Sequence, residues 1–269
     1  MCERLFHWFF VVFQNLMIRF LYRIYQLFVA LPVMLVFSAL TSIVTIIGCT
    51  LGSAHFWGYY PAMIWSRLMC YVFLLPVRVE GRKHLAKHQS YVFVANHQGP
   101  FDIFLVYGFL GRNFKWMMKK SLRHLFLIGK ACESAGHIFV DKSGPRAIQQ
   151  TYRQGREVLR HGTSLVVFPE GARTFTGHMG VFRRGAFQLA DELQLTVVPV
   201  TIDGSFDVLS RQQGFNFLTW HPLRMVVHAP IPPIEKSPEN VRMTMEKSYQ
   251  AIMQDLPSKY QGFVENPDQ

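Results

Sequence analysis

Two short stretches of this 269-residue chain carry side chains whose types and spacing suit chemistry. In the first, Asn96, His97, Gln98, Gly99, Pro100, Phe101 and Asp102 follow one another. Pro100 suits the first residue of a helix, where a missing N–H costs nothing. That places Gly99 near the N-cap and Asp102 near the third helical residue, from which a carboxylate can reach back over the chain, as in a capping box. If it meets His97 there, it fixes the imidazole tautomer and stabilises the imidazolium formed when His97 takes a proton. The same spacing also suits a carboxylate that only caps the helix and satisfies its dipole. In the second stretch, the apolar run 165–168 reads as a buried strand opening into Pro169, Glu170, Gly171, Ala172 and Arg173. A guanidinium makes paired bonds to phosphate oxygens, and a glycine lets backbone N–H groups approach an anion. Glu170 can orient Arg173 or accept a hydroxyl proton; a structural ion pair between the two is the plainer alternative.

The elements that must position these stretches read as short β-branched or aromatic runs alternating with helical patterns. Strands are predicted at 91–95, 114–118, 137–140, 164–168, 196–202 and 224–227. Helices are predicted at 103–109, 121–131, 145–160 and 187–193, that at 121–131 with Leu122, Leu125, Phe126 and Ile128 on its apolar side. Such alternation implies an α/β fold, a mixed and largely parallel sheet flanked by helices. Both chemical stretches then fall where a strand ends. Familiar alternatives are missing: the sequence has no G-x-S-x-G elbow, no phosphate-binding G-x-x-x-x-G-K-[ST] loop and no G-x-G-x-x-G. Nor do its eleven His show metal-ligand spacing, so no metal is expected.

Composition divides the chain. Half of it is hydrophobic and only 17% is charged, with a net charge of +11 that calls for an anionic partner. No Lys, Arg, Asp or Glu occurs from 24 to 66, and the part from 27 to 50 alone is long enough to span a bilayer core. Positive charge flanks both ends of the apolar region, which suits a hairpin or re-entrant pair returning to one face. Residues 1–20 read as a further interfacial helix. All but four of the 28 Lys and Arg lie beyond residue 75. The predicted organisation is a hydrophobic helical membrane anchor over 1–75, a catalytic domain over 76–257 and a polar, fraying tail over 258–269. The four irregularly spaced cysteines suggest no disulfide framework.

Taken together, the motifs resemble those of the 1-acylglycerol-3-phosphate acyltransferases, the lysophosphatidate acyltransferases of phospholipid synthesis. His97 and Asp102 fit the family's H-x4-D motif, and 136–142, ending in Asp141 and Lys142, its second block. The run 168–173 fits the third block, with Ala172 where Thr is commoner, and Val198, Pro199 and Val200 fit the fourth. Arg183 and Arg184 resemble its following basic stretch. The similarity covers roughly residues 75–230.

The resemblance implies a fatty acyl transfer from a thioester to the sn-2 hydroxyl of 1-acylglycerol 3-phosphate, giving phosphatidic acid. His97, held by Asp102, serves as general base, and no acyl-enzyme is needed. Backbone N–H groups at 99–101 are candidate oxyanion donors. Arg173, with Lys142 and Arg184 in support, and Glu170 and Gly171 beside it, would hold the acceptor's phosphate. No cofactor is implied beyond the cosubstrate, acyl-CoA or acyl-carrier protein. An acidic carrier would suit Lys115, Lys119, Lys120, Arg123 and Lys130, a run that equally suits a solvated or lipid-facing surface. The implied partners are a membrane bilayer, lysophosphatidate and the acyl donor, with no nucleic acid. The implied location is the cell membrane, catalytic domain on the cytoplasmic face. An acyltransferase for another lysolipid and an acyl thioesterase are the rival readings.

Overall fold

Runs such as Val92, Phe93, Val94 and Ala95 become strands because both their faces are buried, the setting that continuous β-branched and aromatic runs suit. The computed structural model describes residues 16–264 apart from 87, 142–143, 160–161 and 215. Its strands are β1 (Val77–Glu80), β2 (Val92–Ala95), β3 (Phe114–Lys119), β4 (Ile138–Val140), β5 (Ser164–Val167), β6 (Val197–Asp203) and β7 (Leu223–Val227). They form one sheet in the order β1-β7-β6-β2-β5-β3-β4. From β6 to β4 all neighbours are parallel; β7 is antiparallel to β6 and parallel to β1.

The helices before the His97 stretch are α1 (Leu16–Leu51), α2 (Ala54–Trp57) and α3 (Tyr60–Val72). After it come α4 (Phe101–Phe109), α5 (Ile128–Ser134), α6 (Pro145–Leu159), α7 (Gly185–Glu192), α8 (Ser205–Val208) and α9 (Pro238–Asp255). Side chains alternate across a strand, so β2 serves two layers. Phe93 and Ala95 pack with Phe101, Leu105, Phe114 and Cys70, while Val92 and Val94 pack with Phe187, Ala190, Val241 and Ile252.

Four departures from expectation have physical causes. The helix foreseen at 121–131 is broken: a 3-10 turn, Lys120–His124, precedes α5, and Leu127 between them takes φ +57. Its supposed apolar side is consequently exposed. The tail does not fray at its start, because Ser258–Tyr260 forms a 3-10 turn and buried Tyr260 bonds Asp207 Oδ1 at 2.8 Å. The short edge strand β1 carries charges on alternate residues, which hid its pairing. Helix α9 escaped notice because its buried stripe includes Asn240, Thr244 and Ser248, which weaken the apolar period. Its start was nevertheless written in Ser237, whose hydroxyl accepts from Asn240 N–H at 3.1 Å.

Helix α1 is 36 residues, about 54 Å, and apolar enough to cross a bilayer core of about 30 Å. Near its start it is tied to the domain. The Tyr22 and Tyr25 hydroxyls donate to the Phe73 and Val72 carbonyls at 2.7 and 2.8 Å. Buried Gln26 exchanges two bonds with Leu218, donating at 2.9 Å and accepting at 2.7 Å. A π-helical turn, Gln26–Ala30, begins at that residue. Further along, Ser38 accepts from Trp65 Nε1 at 3.1 Å. The chain turns back after Leu51, as a hairpin requires, but α3 has 13 residues, about 20 Å, too few to span. Its Met69 and Cys70 are buried against the domain instead. Of the interfacial helix foreseen at 1–20, residues 1–15 lie outside the described residues.

Candidate active site

Phe93 sits between Val166 and Val198, so β2 and β5 release the segments 96–102 and 168–174 side by side. Both emerge at carboxyl ends of parallel strands, where open α/β sheets form their crevices. Asn96 clamps the first segment to β6: its amide donates to the Ile202 carbonyl at 2.8 Å and its Oδ1 accepts from Ile202 N–H at 2.7 Å. At Gly99 an added Cβ would lie 2.6 Å from the Ser205 carbonyl oxygen, so only glycine lets the loop pass α8.

Helix α4 starts at Phe101, one residue later than foreseen, with Pro100 as N-cap. Buried Asp102 turns Oδ2 back toward the loop, where His97 Nδ1 lies at 2.7 Å and Gly99 N–H at 2.9 Å. The cap and the imidazole partner are therefore one oxygen, and the two readings of the spacing coexist. Facing a carboxylate, Nδ1 carries the hydrogen and leaves Nε2 as the basic nitrogen. Because Gly99 N–H is engaged by Asp102 and Pro100 has none, Phe101 alone remains of the three foreseen oxyanion donors.

The His97 ring lies flat on Phe168, with centroids 4.0 Å apart and planes 8° from parallel. Phe168 in turn stacks on Trp116 at 5.3 Å. Glu170 completes the frame. It is buried, and its oxygens accept from His97 N–H and Gly180 N–H, each at 2.7 Å. Burial pushes its carboxyl up to about 8, against the pull of those two donors. It is thus not the partner of Arg173: it braces the His97 loop against the chain after β5, as a positioning residue.

Gly171 takes φ +77, and an added Cβ would touch the Arg183 guanidinium carbon at 3.2 Å. Arg183 N–H also donates to the Pro169 carbonyl at 2.9 Å. The guanidinium brought to the turn by 182–185 is therefore that of Arg183; both arginines are exposed, and Arg184 stands just before α7. Arg173 is partly buried on the same turn, and its carbonyl accepts from Arg211 Nη1 at 3.3 Å. Lys142 lies outside the described residues.

Sequence reasoning missed Asn96, Phe168 and Arg183. The first two had signals: a polar residue ending an apolar strand and an aromatic opening the acidic turn. Only the contact of the Arg183 guanidinium with Gly171 decides between Arg183 and Arg184.

The second block supplies structure. Buried His137 accepts from Trp116 N–H at 3.2 Å through Nδ1 and meets the Tyr107 hydroxyl at 3.1 Å through Nε2. Tyr107 donates onward to the Gly58 carbonyl at 3.2 Å, joining the domain to the turn before α3. Burial pushes the imidazole down to about 3, so it stays neutral. Lys115, expected on the basic surface, is buried beneath the same turn with Nζ 3.4 Å from the Ala54 carbonyl, and burial lowers its ammonium to about 8.

The acyltransferase family model matches residues 76–203, which hold both the 96–102 and the 168–174 segments. A 1-acyl-sn-glycerol-3-phosphate acyltransferase of Saccharomyces cerevisiae is 33% identical over 74% of this chain and 66% of its own length. A chloroplastic protein of the same activity name from Arabidopsis thaliana is 29% identical over 64% of this chain and 48% of its own. The chain thus spans from about half to just under two thirds of these relatives. The crystal structure of the 1-acyl-sn-glycerophosphate (LPA) acyltransferase PlsC from Thermotoga maritima superposes with a TM-score of 0.69. At 22% identity it covers 87% of this chain and 95% of its own, and it shows a shared fold.

Proposed function

Residues 76–203 belong to the acyltransferase family, and from that premise we propose that the chain acylates the sn-2 hydroxyl of lysophosphatidate to give phosphatidic acid. One observation carries the reading: His97 Nδ1 stands 2.7 Å from a fully buried Asp102 oxygen, in a crevice bounded by an arginine-bearing turn. Nε2 removes the acceptor's hydroxyl proton as the oxygen attacks the thioester carbonyl. Collapse of the tetrahedral intermediate expels the thiolate, which takes the proton back from the imidazolium. Asp102 stabilises that imidazolium without itself being protonated. Arg173 holds the phosphate by paired bonds, and Arg183, on the neighbouring turn, adds charge.

The net charge of +11 and the apolar surface of α1 support a membrane location with the domain on the cytoplasmic face. The donor is a thioester of coenzyme A or of acyl-carrier protein, and no further cofactor takes part.

Purified protein assayed with both donors against a panel of lysolipids tests the proposal. Phosphatidic acid as the main ester is expected. Preference for another lysolipid would move the acceptor assignment, and free fatty acid as the only product would make the chain a thioesterase. Arg173→Lys keeps charge but loses the fork, so the KM for lysophosphatidate should rise while that for the donor holds. A rise in the donor KM alone would reverse the assignment of Arg173.

A further inference from the structure

The broken helix at 120–134 leaves an apolar tip for which the catalytic reading has no use. Phe126 is 88% exposed, and Leu122, Leu125 and Ile128 are between 40 and 48% exposed. Chain geometry holds them outward rather than leaving them loose. Leu127 takes φ +57, and at Gly129 an added Cβ would overlap the Arg123 carbonyl oxygen, so the turn is folded tightly on itself. Charged groups ring the tip: Arg123 lies 3.3 Å and Lys130 3.1 Å from Glu133, and exposed Lys119 and His124 carry no neighbouring acid in sequence.

The tip continues a larger apolar surface. Helix α5, which it leads into, packs on the second half of α1, whose Ile43, Val44, Ile47 and Leu51 remain exposed. We propose that residues 122–128 form a second membrane contact, a wedge whose Leu122, Leu125 and Phe126 enter the acyl region of an anionic bilayer while Lys119, Arg123 and Lys130 meet its headgroups. Amphipathic surface elements bind lipid this way, through buried apolar area and attraction to anionic headgroups. A bilayer fits better than an acidic carrier protein because the outermost side chain is a phenylalanine rather than a cation. The wedge rests on the membrane reading of α1 and adds to it a fixed tilt, because a helix axis and a point off that axis together define how the domain sits on a surface.

The test uses full-length protein in phosphatidylglycerol vesicles, with ordinary or bromine-labelled acyl chains that quench nearby tryptophan. Phe126→Trp reports the wedge and Phe37→Trp, on the outer side of α1, reports the anchor. Both variants should lose more fluorescence to brominated lipid than the parent does. Quenching at 37 without quenching at 126 overturns the wedge and leaves the anchor standing; quenching at neither overturns both. A second arm uses Leu125→Asp with Phe126→Asp. Its turnover of a long-chain acceptor in vesicles should fall about tenfold, with a short-chain acceptor in solution unchanged within twofold. Loss on both acceptors, or a raised KM only for an acyl-carrier protein donor in detergent, rejects the wedge.

Discussion

The candidate crevice and helix α1 invert each other's chemistry. At the carboxyl ends of β2 and β5, the polar groups Asn96, Asp102 and Glu170 are buried and held by short bonds, all between 2.7 and 2.9 Å. Along α1 it is Leu, Ile, Val and Phe that face outward, and few polar ties hold the helix. Buried polar groups are costly unless satisfied, but once satisfied they allow one geometry only. Apolar surface is non-directional, so it positions little by itself. Directional bonds are thus concentrated in the crevice, and undirected apolar surface along α1.

That contrast can be broken from the crevice side first. His97→Ala should lower kcat at least about a hundredfold, the usual range for loss of a general base, with vesicle association unchanged by flotation. Near-normal turnover would remove the base from the mechanism.

A smaller effect sharpens the role of Glu170. In Glu170→Gln the new amide sets an N–H against a backbone N–H, so one of the two braces is lost. Thermal or denaturant unfolding should show about 1–3 kcal/mol of lost stability, as for an unsatisfied buried donor. Turnover should fall with little change in either KM, since His97 is displaced rather than the substrates released. Unchanged stability would mean that the brace is not formed.

An effect confined to acid pH lies at the seam between the two regions. His137 has its folded pKa depressed to about 3 from an ordinary value of 6.5. Its contribution is present above 6.5 and is lost as pH falls toward 3, because the unfolded chain binds the proton first. His137→Asn keeps one donor and one acceptor without the titration. The difference in stability between variant and parent should change across that window and stay flat above about pH 7. A constant difference across the whole range would show that His137 is not buried neutral.

Much of this architecture could be read before any coordinates. The alternation of apolar runs and helical patterns gave the parallel core, because strands such as 164–167 are continuous enough to be buried on both faces. The spacing of His97 and Asp102 allowed their meeting, because a first-turn carboxylate can reach a short way back, but it suited a plain helix cap as well, and only the second stretch and the family resemblance favoured the pair. Glu170 was misread for a reason of the same kind. Sequence adjacency pairs it with Arg173, whereas the partners that satisfy it, His97 N–H and Gly180 N–H, belong to backbone that only the tertiary fold brings near. Lys115 looked like surface because charge ordinarily is, and nothing local announces the turn at 54–58 that covers it. The break at Leu127 was hidden because its left-handed backbone belongs to a residue type that rarely adopts it.

The π-helical turn at Gln26–Ala30 has a geometric effect on everything beyond it. An α-helix advances about 100° per residue, so one surplus residue in a widened turn swings the downstream helix by roughly that angle. Upstream of the turn Tyr22 and Tyr25 point at the domain, as does Gln26 at its first residue; downstream, Ser38 meets Trp65, and Gly48 lies so close to Trp57 that a Cβ would overlap its ring. Deleting a single residue from 27–29 would leave a regular helix of nearly the same length and hydrophobicity, but its two sets of moorings would face different directions. Helix α1 is in this respect a keyed shaft, in which one extra residue sets the angle between its two teeth.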